Sequence, residues 1–168
     1  LSHDNPIVVI ADPGSEEEAV MRLGRIGFDN VAGYLRDGMA ALEHRPELVR
    51  TIPRVTAPAL ARLRNDSPAP FVIDVRSEKE WEASQLSCSH NSPLTHRRER
   101  ISEVPTDRPV VVHCEGGYRS AISASLLAES GQVDVSDLVG GIKAWSASQL
   151  PTTSQDVGAS KCDSSCAK

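Results

Sequence analysis

Residues 109–127 read PVVVHCEGGYRSAISASLL, and the succession of residue types in this stretch decides the fold. Val110, Val111 and Val112 form an unbroken β-branched run, the pattern of a strand buried on both faces. From Ala121 to Leu127, alanine, isoleucine and leucine recur at helical spacing. Between them lies CEGGYRS, where Gly116 and Gly117 are free to take positive φ. A strand, a glycine loop and a helix N-terminus make a cradle of backbone N–H groups, which favours an anion. Cys114 stands at its rim.

Outward from this stretch, strand and helix alternate. Residues 7–10 are predicted as a strand, 16–26 as a helix, 31–35 as a short strand and 39–44 as a helical turn. In TIPRVTAPALARLRN, Thr56 is a good N-cap and Pro58 is tolerated in the first turn. PFVIDVR is predicted as a strand and SEKEWEAS as a short helix capped by Ser77. SHNSPL is predicted extended and HRRERISEV as a polar helical segment. After the Val110 strand and the Ser120 helix come a short strand over 135–139 and a last helix in GGIKAWSASQL. This order argues for an α/β fold, a mostly parallel sheet with helices on both faces.

A displacement of 103 residues, which brings Cys114 over Ala11, shows a repeat. PIVVIADPG…LRDGMAAL then lies over PVVVHCEGG…LVGGIKAW without a gap. The pairs Pro6/Pro109, Val8/Val111, Val9/Val112, Gly14/Gly117, Leu23/Leu126, Leu35/Leu138, Gly38/Gly141 and Ala41/Ala144 are identical. Arg119 falls on Glu16. The first copy has the scaffold and lacks the chemistry. Nothing in it corresponds to PFVIDVRSEKEW, so residues 1–45 are expected to be the back half of a degenerate domain, with edges that something else must cover.

The chain has 168 residues, 39% hydrophobic and 24% charged, with a net charge of −5. That charge argues against a nucleic-acid partner, and no run approaches the roughly 18 apolar residues that would span a membrane. LSHDNPIVVIADPG lacks the features of a signal peptide. It also lacks an initiator methionine, so the chain is expected to be processed or part of a longer protein. Cys88, Cys114, Cys162 and Cys166 are too scattered for a disulfide framework, and a reduced, cytoplasmic setting is expected. Cys162 and Cys166 fall in the polar stretch 152–168, expected to be a flexible tail. Two cysteines do not close a tetrahedral metal site. His90, His96 and His113 raise the question of a metal, but His113 is predicted to face away from Cys114, and no metal site is assigned.

The segment from Thr51 to Pro151 resembles a rhodanese (sulfurtransferase) domain. VIDVRSEKEW, the single-cysteine loop CEGGYRS opening a helix, and LVGGIKAW stand in the family's order and spacing. The resemblance implies a rhodanese domain at 46–151, preceded by a partial degenerate repeat at 1–45. It implies a cofactor-free enzyme that moves sulfane sulfur from a small-molecule persulfide or thiosulfate to a thiol or cyanide, through a Cys114 persulfide. RIGFDNVAGYL and DGMAAL extend the likeness to the C-terminal part of fusions with a metallo-β-lactamase-fold, persulfide dioxygenase-like domain, which would lie upstream. One departure bears on the site. Rhodaneses commonly read GHIPGA where this chain has SQLSCS, Ser84 to Ser89, so Gln85 takes the histidine's place. That loop lies on the family's active-site side and bears on substrate specificity.

Sulfur transfer needs a thiolate, and a free cysteine titrates near about 8.5. Loop N–H groups and the N-terminus of the following helix lower that value and stabilise a persulfide anion. Gly116 and Gly117 let those groups converge, Arg119 adds a fixed positive charge, Ser120 is placed to cap the helix, and Tyr118 lines the entrance. Glu115 repels a small dianion unless it points outward, or the donor is a neutral or mixed-charge persulfide. Asp74 is expected to hold loop N–H groups and Arg76 to pair with Glu80, both shaping the site. A buried inert thiol is the bland reading of Cys114, but its place at a strand end before a glycine loop favours a nucleophile. Cys88 reads as a replacement in a drifted loop ahead of a resolving thiol. Two other classes compete. Cysteine phosphatases space their thiol and arginine as C-x5-R, against C-x4-R for Cys114 and Arg119, and the shorter loop suits a sulfur atom better than a phosphate. A non-catalytic binding or regulatory module is the other, which Ala11 makes of the first copy.

Overall fold

The computed structural model of the protein describes residues 2–96 and 100–154. The chain divides into two compact units between Thr51 and Ile52. In the first, β1 (Ile7–Val9) and β2 (Val31–Tyr34) pair in parallel, connected through α1 (Glu16–Arg25). Glu16, Glu17 and Glu18 open that helix and Arg22 and Arg25 close it, matching its macrodipole. The expected turn over 39–44 is a 3-10 segment, Gly38–Leu42, and a second follows at Pro46–Leu48. Among the described residues, Val9 is the only large hydrophobic buried in this unit, while Val8, Ile10, Met21, Ile26, Tyr34 and Met39 are exposed.

The repeat has a backbone counterpart. Gly14, Asp37 and Gly38 have φ of 88°, 64° and 53°, and 103 residues on, Gly117, Gly140 and Gly141 have 110°, 69° and 58°. A Cβ on Gly38 would run into the carbonyl oxygen of Ala11, and one on Gly141 into that of Cys114. The same turn closes on the same position in both halves.

The second unit is built on a five-stranded parallel sheet. Its strands are β3 (Arg54–Val55), β4 (Phe71–Asp74), β6 (His90–Asn91), β7 (Val110–His113) and β8 (Val135–Leu138), in the order β3-β8-β7-β4-β6. The central β7 is buried throughout, as its valine run requires. On one face, Val110, Val112 and Cys114 pack with Ile73, Val135 and the Ala124, Leu127 and Ala128 stripe of α4 (Tyr118–Glu129). On the other, Val111, Val72 and Leu138 pack with Leu60 of α2 (Ala57–Leu63) and with Ile142 and Trp145 of α5 (Gly141–Ala147). Helices therefore cover both faces, as the alternation of strands and helices predicts. Ser77 caps α3 (Glu78–Ala83) with a capping box to Glu80. Thr56 has extended backbone ahead of α2 but makes no side-chain cap bond.

Two local expectations are corrected. Of the polar segment 96–104, residues 97–99 lie outside the described residues, and the described parts stand in 3-10 turns, Leu94–His96 and Ile101–Glu103, rather than in an α-helix. The stretch expected to be a flexible tail from 152 opens as a strand, β9 (Thr152–Thr153), which pairs antiparallel with β5 (Gln85–Leu86) in the drifted loop; residues 155–168 lie outside the described residues. Cys162 and Cys166 lie outside the described residues.

Candidate active site

Cys114 follows directly on β7, and the chain turns there into α4. Gly117, at φ 110°, is the N-cap residue of that helix, and its N–H donates to Cys114 Sγ at 3.1 Å. The Ser120 hydroxyl lies 3.5 Å from Sγ and 3.1 Å from the Gly117 carbonyl oxygen. The cysteine is 1% exposed, at the floor of the loop. Burial pushes the thiol up, but the Ser120 hydroxyl and the N–H groups of Ser120, Gly117 and Gly116 outweigh it and hold the thiol below its ordinary value. The twelve-residue α4 adds the positive end of its dipole.

The loop keeps this shape because α5 holds it from behind. Ile142 N–H donates to the Cys114 carbonyl at 2.9 Å and Lys143 N–H to that of Glu115 at 3.2 Å. With their carbonyls tied to α5, the loop peptides turn N–H groups toward the sulfur. Gly141 permits the approach: a Cβ there would meet Glu115 O at 2.7 Å as well as the Cys114 oxygen. Glu115 points toward two cations, Arg76 Nη1 and Lys143 Nζ, each 3.6 Å away.

Beside the loop is a buried ion pair. Asp74, at the end of β4, accepts from the Arg76 backbone N–H (2.9 Å) and from its guanidinium (2.7 Å from Nη2). Arg76 Nη2 also donates to the Ser84 carbonyl at 2.5 Å, and the Asn91 side-chain amide donates to the carbonyls of Asp74 and Arg76. Across β7, on the face away from the thiol, His113 is fully buried with Nε2 3.6 Å from Asp74 Oδ2. Burial drives its imidazole below the ordinary value, opposed by Asp74. Arg119 makes a two-pronged pair with Glu80 of α3, both contacts 2.8 Å. That pairing takes the Glu80 carboxyl down to about 2 and pushes Arg119 up.

A family model described as the rhodanese-like domain matches residues 56–148. The chain belongs to the rhodanese-like family. The rhodanese-like segment is 30% identical over 97 residues to a sulfurtransferase of Allochromatium vinosum, covering 58% of this chain and 91% of that protein. It is 35% identical over 74 residues to the uncharacterized protein YqhL of Bacillus subtilis, covering 44% of this chain and 59% of that protein's length. A solved thiosulfate sulfurtransferase of Pseudomonas aeruginosa shares the fold at 23% identity and a TM-score of 0.57, covering 90% of this chain and 33% of that one. Relatives named as sulfurtransferases support a sulfurtransferase-type role at a general level.

The rhodanese loop gathers Cys114, Glu115, Gly116, Gly117 and Ser120 around one sulfur, with changed roles. Gly117 has positive φ and Gly116 does not. Ser120 is not the cap; it is the third residue of α4, and its buried hydroxyl faces the thiol because Gly117 already occupies the N-cap. Tyr118 begins α4 at 81% exposure. The expected pairing is exchanged: Arg76 bonds Asp74 two residues away, and Glu80 bonds Arg119. Asp74 accepts from both the backbone N–H and the guanidinium of Arg76, in the loop that follows β4. Two contributors were not singled out from the sequence as site residues: Gly141 and Lys143, whose N–H and side chain both meet Glu115. For Gly141 a signal existed, its match to Gly38 in the repeat. Among the described residues, no group of three His, Cys, Asp or Glu side chains is placed to hold a metal, and no helix is long and apolar enough to cross a membrane.

Proposed function

We propose that the rhodanese domain is a sulfurtransferase that carries sulfane sulfur as a persulfide on Cys114. The observation that carries this reading is the thiol at the floor of the glycine loop, with Gly117 N–H at 3.1 Å and its acidity raised. The Cys114 thiolate attacks the sulfane sulfur of the donor. A new S–S bond forms to Sγ while the bond to the rest of the donor breaks, and its electron pair leaves with that fragment as a thiolate or sulfite. An acceptor thiolate or cyanide then attacks the outer sulfur and the Cys114 thiolate returns. No outside oxidant or reductant enters. The N–H groups and helix dipole that favour the thiolate favour the persulfide anion in the same way.

Within this reading the preferred donor is an organic persulfide. Glu115 sits in the loop itself and the chain carries a net charge of −5, both unfavourable to the thiosulfate dianion. Arg76 and Lys143 offset the Glu115 charge only from 3.6 Å. Residues 1–45 are proposed to be the second half of a degenerate rhodanese repeat, a scaffold with Ala11 in the thiol's place, supported by the shared sequence register and positive-φ positions. The likeness of RIGFDNVAGYL and DGMAAL to persulfide dioxygenase fusions supports placing a metallo-β-lactamase-fold domain ahead of it. The test is thiocyanate formation from cyanide with glutathione persulfide and with thiosulfate, beside hydrolysis of an aryl phosphate. Higher kcat/KM for the persulfide is expected. A clear preference for thiosulfate overturns the donor, and phosphate hydrolysis without thiocyanate overturns the enzyme.

A further inference from the structure

Lys143 has no part in the sulfur chemistry above, yet it is tied to the cysteine loop. Its backbone N–H donates to the Glu115 carbonyl oxygen at 3.2 Å, and Glu115 directly follows Cys114. The side chains of the two residues therefore spring from backbone that is fixed beside the thiol. Lys143 Nζ lies 3.6 Å from Glu115 Oε1, and Arg76 Nη1 lies 3.6 Å from Oε2. Both separations are too long for a hydrogen bond.

The three charges are not equivalent. Arg76 is buried, with its guanidinium committed to Asp74 and to the Ser84 carbonyl. Glu115 and Lys143 are open to solvent, their side chains 41% and 72% exposed. They stand as an acid and a base side by side at the cysteine loop, with room for other charges to meet them. The repeat sets the pair apart as well. Displaced by 103 residues, Glu115 falls on Asp12 and Lys143 on Ala40. The first copy keeps an acid but has neither the thiol nor the lysine, so the acid–base pair stands only in the copy that holds the sulfur.

We propose that Glu115 and Lys143 select the sulfur donor by receiving the ammonium and the carboxylate of a free amino-acid persulfide, cysteine persulfide. An α-amino acid carries both charges on one carbon. In cysteine persulfide a single methylene separates that carbon from the S–S group, so both charges lie next to the reacting sulfur. Thiosulfate has no positive charge to offer Glu115. In glutathione persulfide the amine and carboxyl nearest the sulfur are locked in peptide bonds. On binding, the ammonium meets the Glu115 carboxylate and the carboxylate meets Lys143 Nζ, two charge-assisted contacts in place of one long ion pair. The outer sulfur then forms its bond to Cys114 Sγ while the donor's own S–S bond breaks. The electron pair of that bond leaves on free cysteine as its thiolate, and no outside oxidant or reductant enters.

The proposal rests on Cys114 being the thiol that carries sulfur, and it narrows the organic persulfide of that reading to one class. The test measures thiocyanate formation from cyanide by the full chain with cysteine persulfide, its N-acetyl form, its methyl ester and thiosulfate. The N-acetyl form lacks the ammonium and the ester lacks the carboxylate. In wild type, kcat/KM for cysteine persulfide should exceed that for either blocked form by about threefold or more, the scale of one partly exposed charge-assisted contact, with the difference in KM. Lys143→Gln should erase the preference over the methyl ester and keep that over the N-acetyl form, and Glu115→Gln should do the reverse. Each comparison is between donors on one protein, so a general loss of folding does not imitate this crossed pattern.

Glu115→Gln also separates recognition from plain repulsion. It should lower kcat/KM for cysteine persulfide and raise it for thiosulfate, whereas removing a carboxylate that only repels anions would raise both. Equal kcat/KM for the three cysteine-derived persulfides, preferences that survive both variants, or a gain for cysteine persulfide in Glu115→Gln overturns the proposal. Intact-mass measurement keeps the two readings distinct. Cys114 loaded alike by every persulfide overturns the donor selection alone, and Cys114 loaded by none of the donors overturns the proposed function.

Discussion

Gly141 has no reactive atom, yet the cysteine loop depends on it. At φ 58° it lets α5 begin directly under the Cys114 and Glu115 carbonyls, where any Cβ would meet backbone oxygen. Gly141→Ala combines a left-handed strain with a clash against backbone that cannot yield, so a loss on the order of 3 kcal/mol is expected. Gly116 has open space around it and an ordinary φ, so Gly116→Ala should cost under about 1 kcal/mol. Urea unfolding of the two variants checks the contrast, and equal losses would show that the loop is not held from α5. At the reactive residue itself, Cys114→Ser should abolish sulfur transfer and change stability by about 1 kcal/mol or less, since serine can accept the Gly117 N–H. Intact-mass measurement after exposure to donor should show added sulfur on wild type that the variant lacks; transfer retained by the variant would remove Cys114 as the carrier. The nucleophile was legible because a strand end, a glycine loop and a helix start are all local in sequence. The support from Gly141, some 27 residues on, left only an indirect trace, its match to Gly38 in the repeat, because a glycine's contacts do not show in composition.

Helices α3 and α4 are joined by one clasp, Glu80 to Arg119, and each end is set by its own helix. Ser77 fixes Glu80 through the capping box, and Gly117 starts α4 so that Arg119 is its second residue. Both side chains are partly exposed, about 35% and 37%, so after screening the pair contributes about 1 kcal/mol or less. Its pH dependence has a definite sign. Glu80 is lowered from 4.5 to about 2 in the folded chain, so the contribution is full above 4.5 and is lost as pH falls toward about 2. The difference in unfolding free energy between wild type and Glu80→Gln should therefore be flat above pH 4.5 and shrink below it. A difference that persists unchanged at pH 2 would mean Glu80 acts by packing rather than charge. At this scale the order of strands and helices was readable from periodicity, because β7 must be apolar on both faces and α4 on one. Which arginine met which carboxylate was not. Arg76 and Arg119 are equally basic in sequence, and burial alone, which gives Asp74 to the one and leaves Glu80 to the other, separates them.

Across the whole molecule, the two units differ in how much apolar surface they bury. The second encloses two clusters, one on each face of a five-stranded sheet, drawn entirely from residues after Thr51. The first has two strands, one ten-residue helix and, among the described residues, a single buried large hydrophobic, Val9. A two-stranded sheet needs further strands or a well-packed helix to be stable in water, and α1 has no buried residue to supply that packing, so a unit this small buries little surface to set against its conformational entropy. The displacement of 103 residues made the kinship of the halves visible, because glycines forced by backbone approach repeat at fixed positions. It also shows what the first half lacks: β7 has β4 on its free side, and β1 has no such neighbour among the described residues of its unit. Residues 52–154 expressed alone should thus unfold cooperatively and load sulfur on Cys114, whereas residues 1–51 alone should show no cooperative melt. Thermal unfolding followed by circular dichroism, with mass measurement of the loaded thiol, tests both. A sharp transition in the isolated first unit would show that it is stable by itself, and loss of folding in the second when the first is removed would show that the second depends on it.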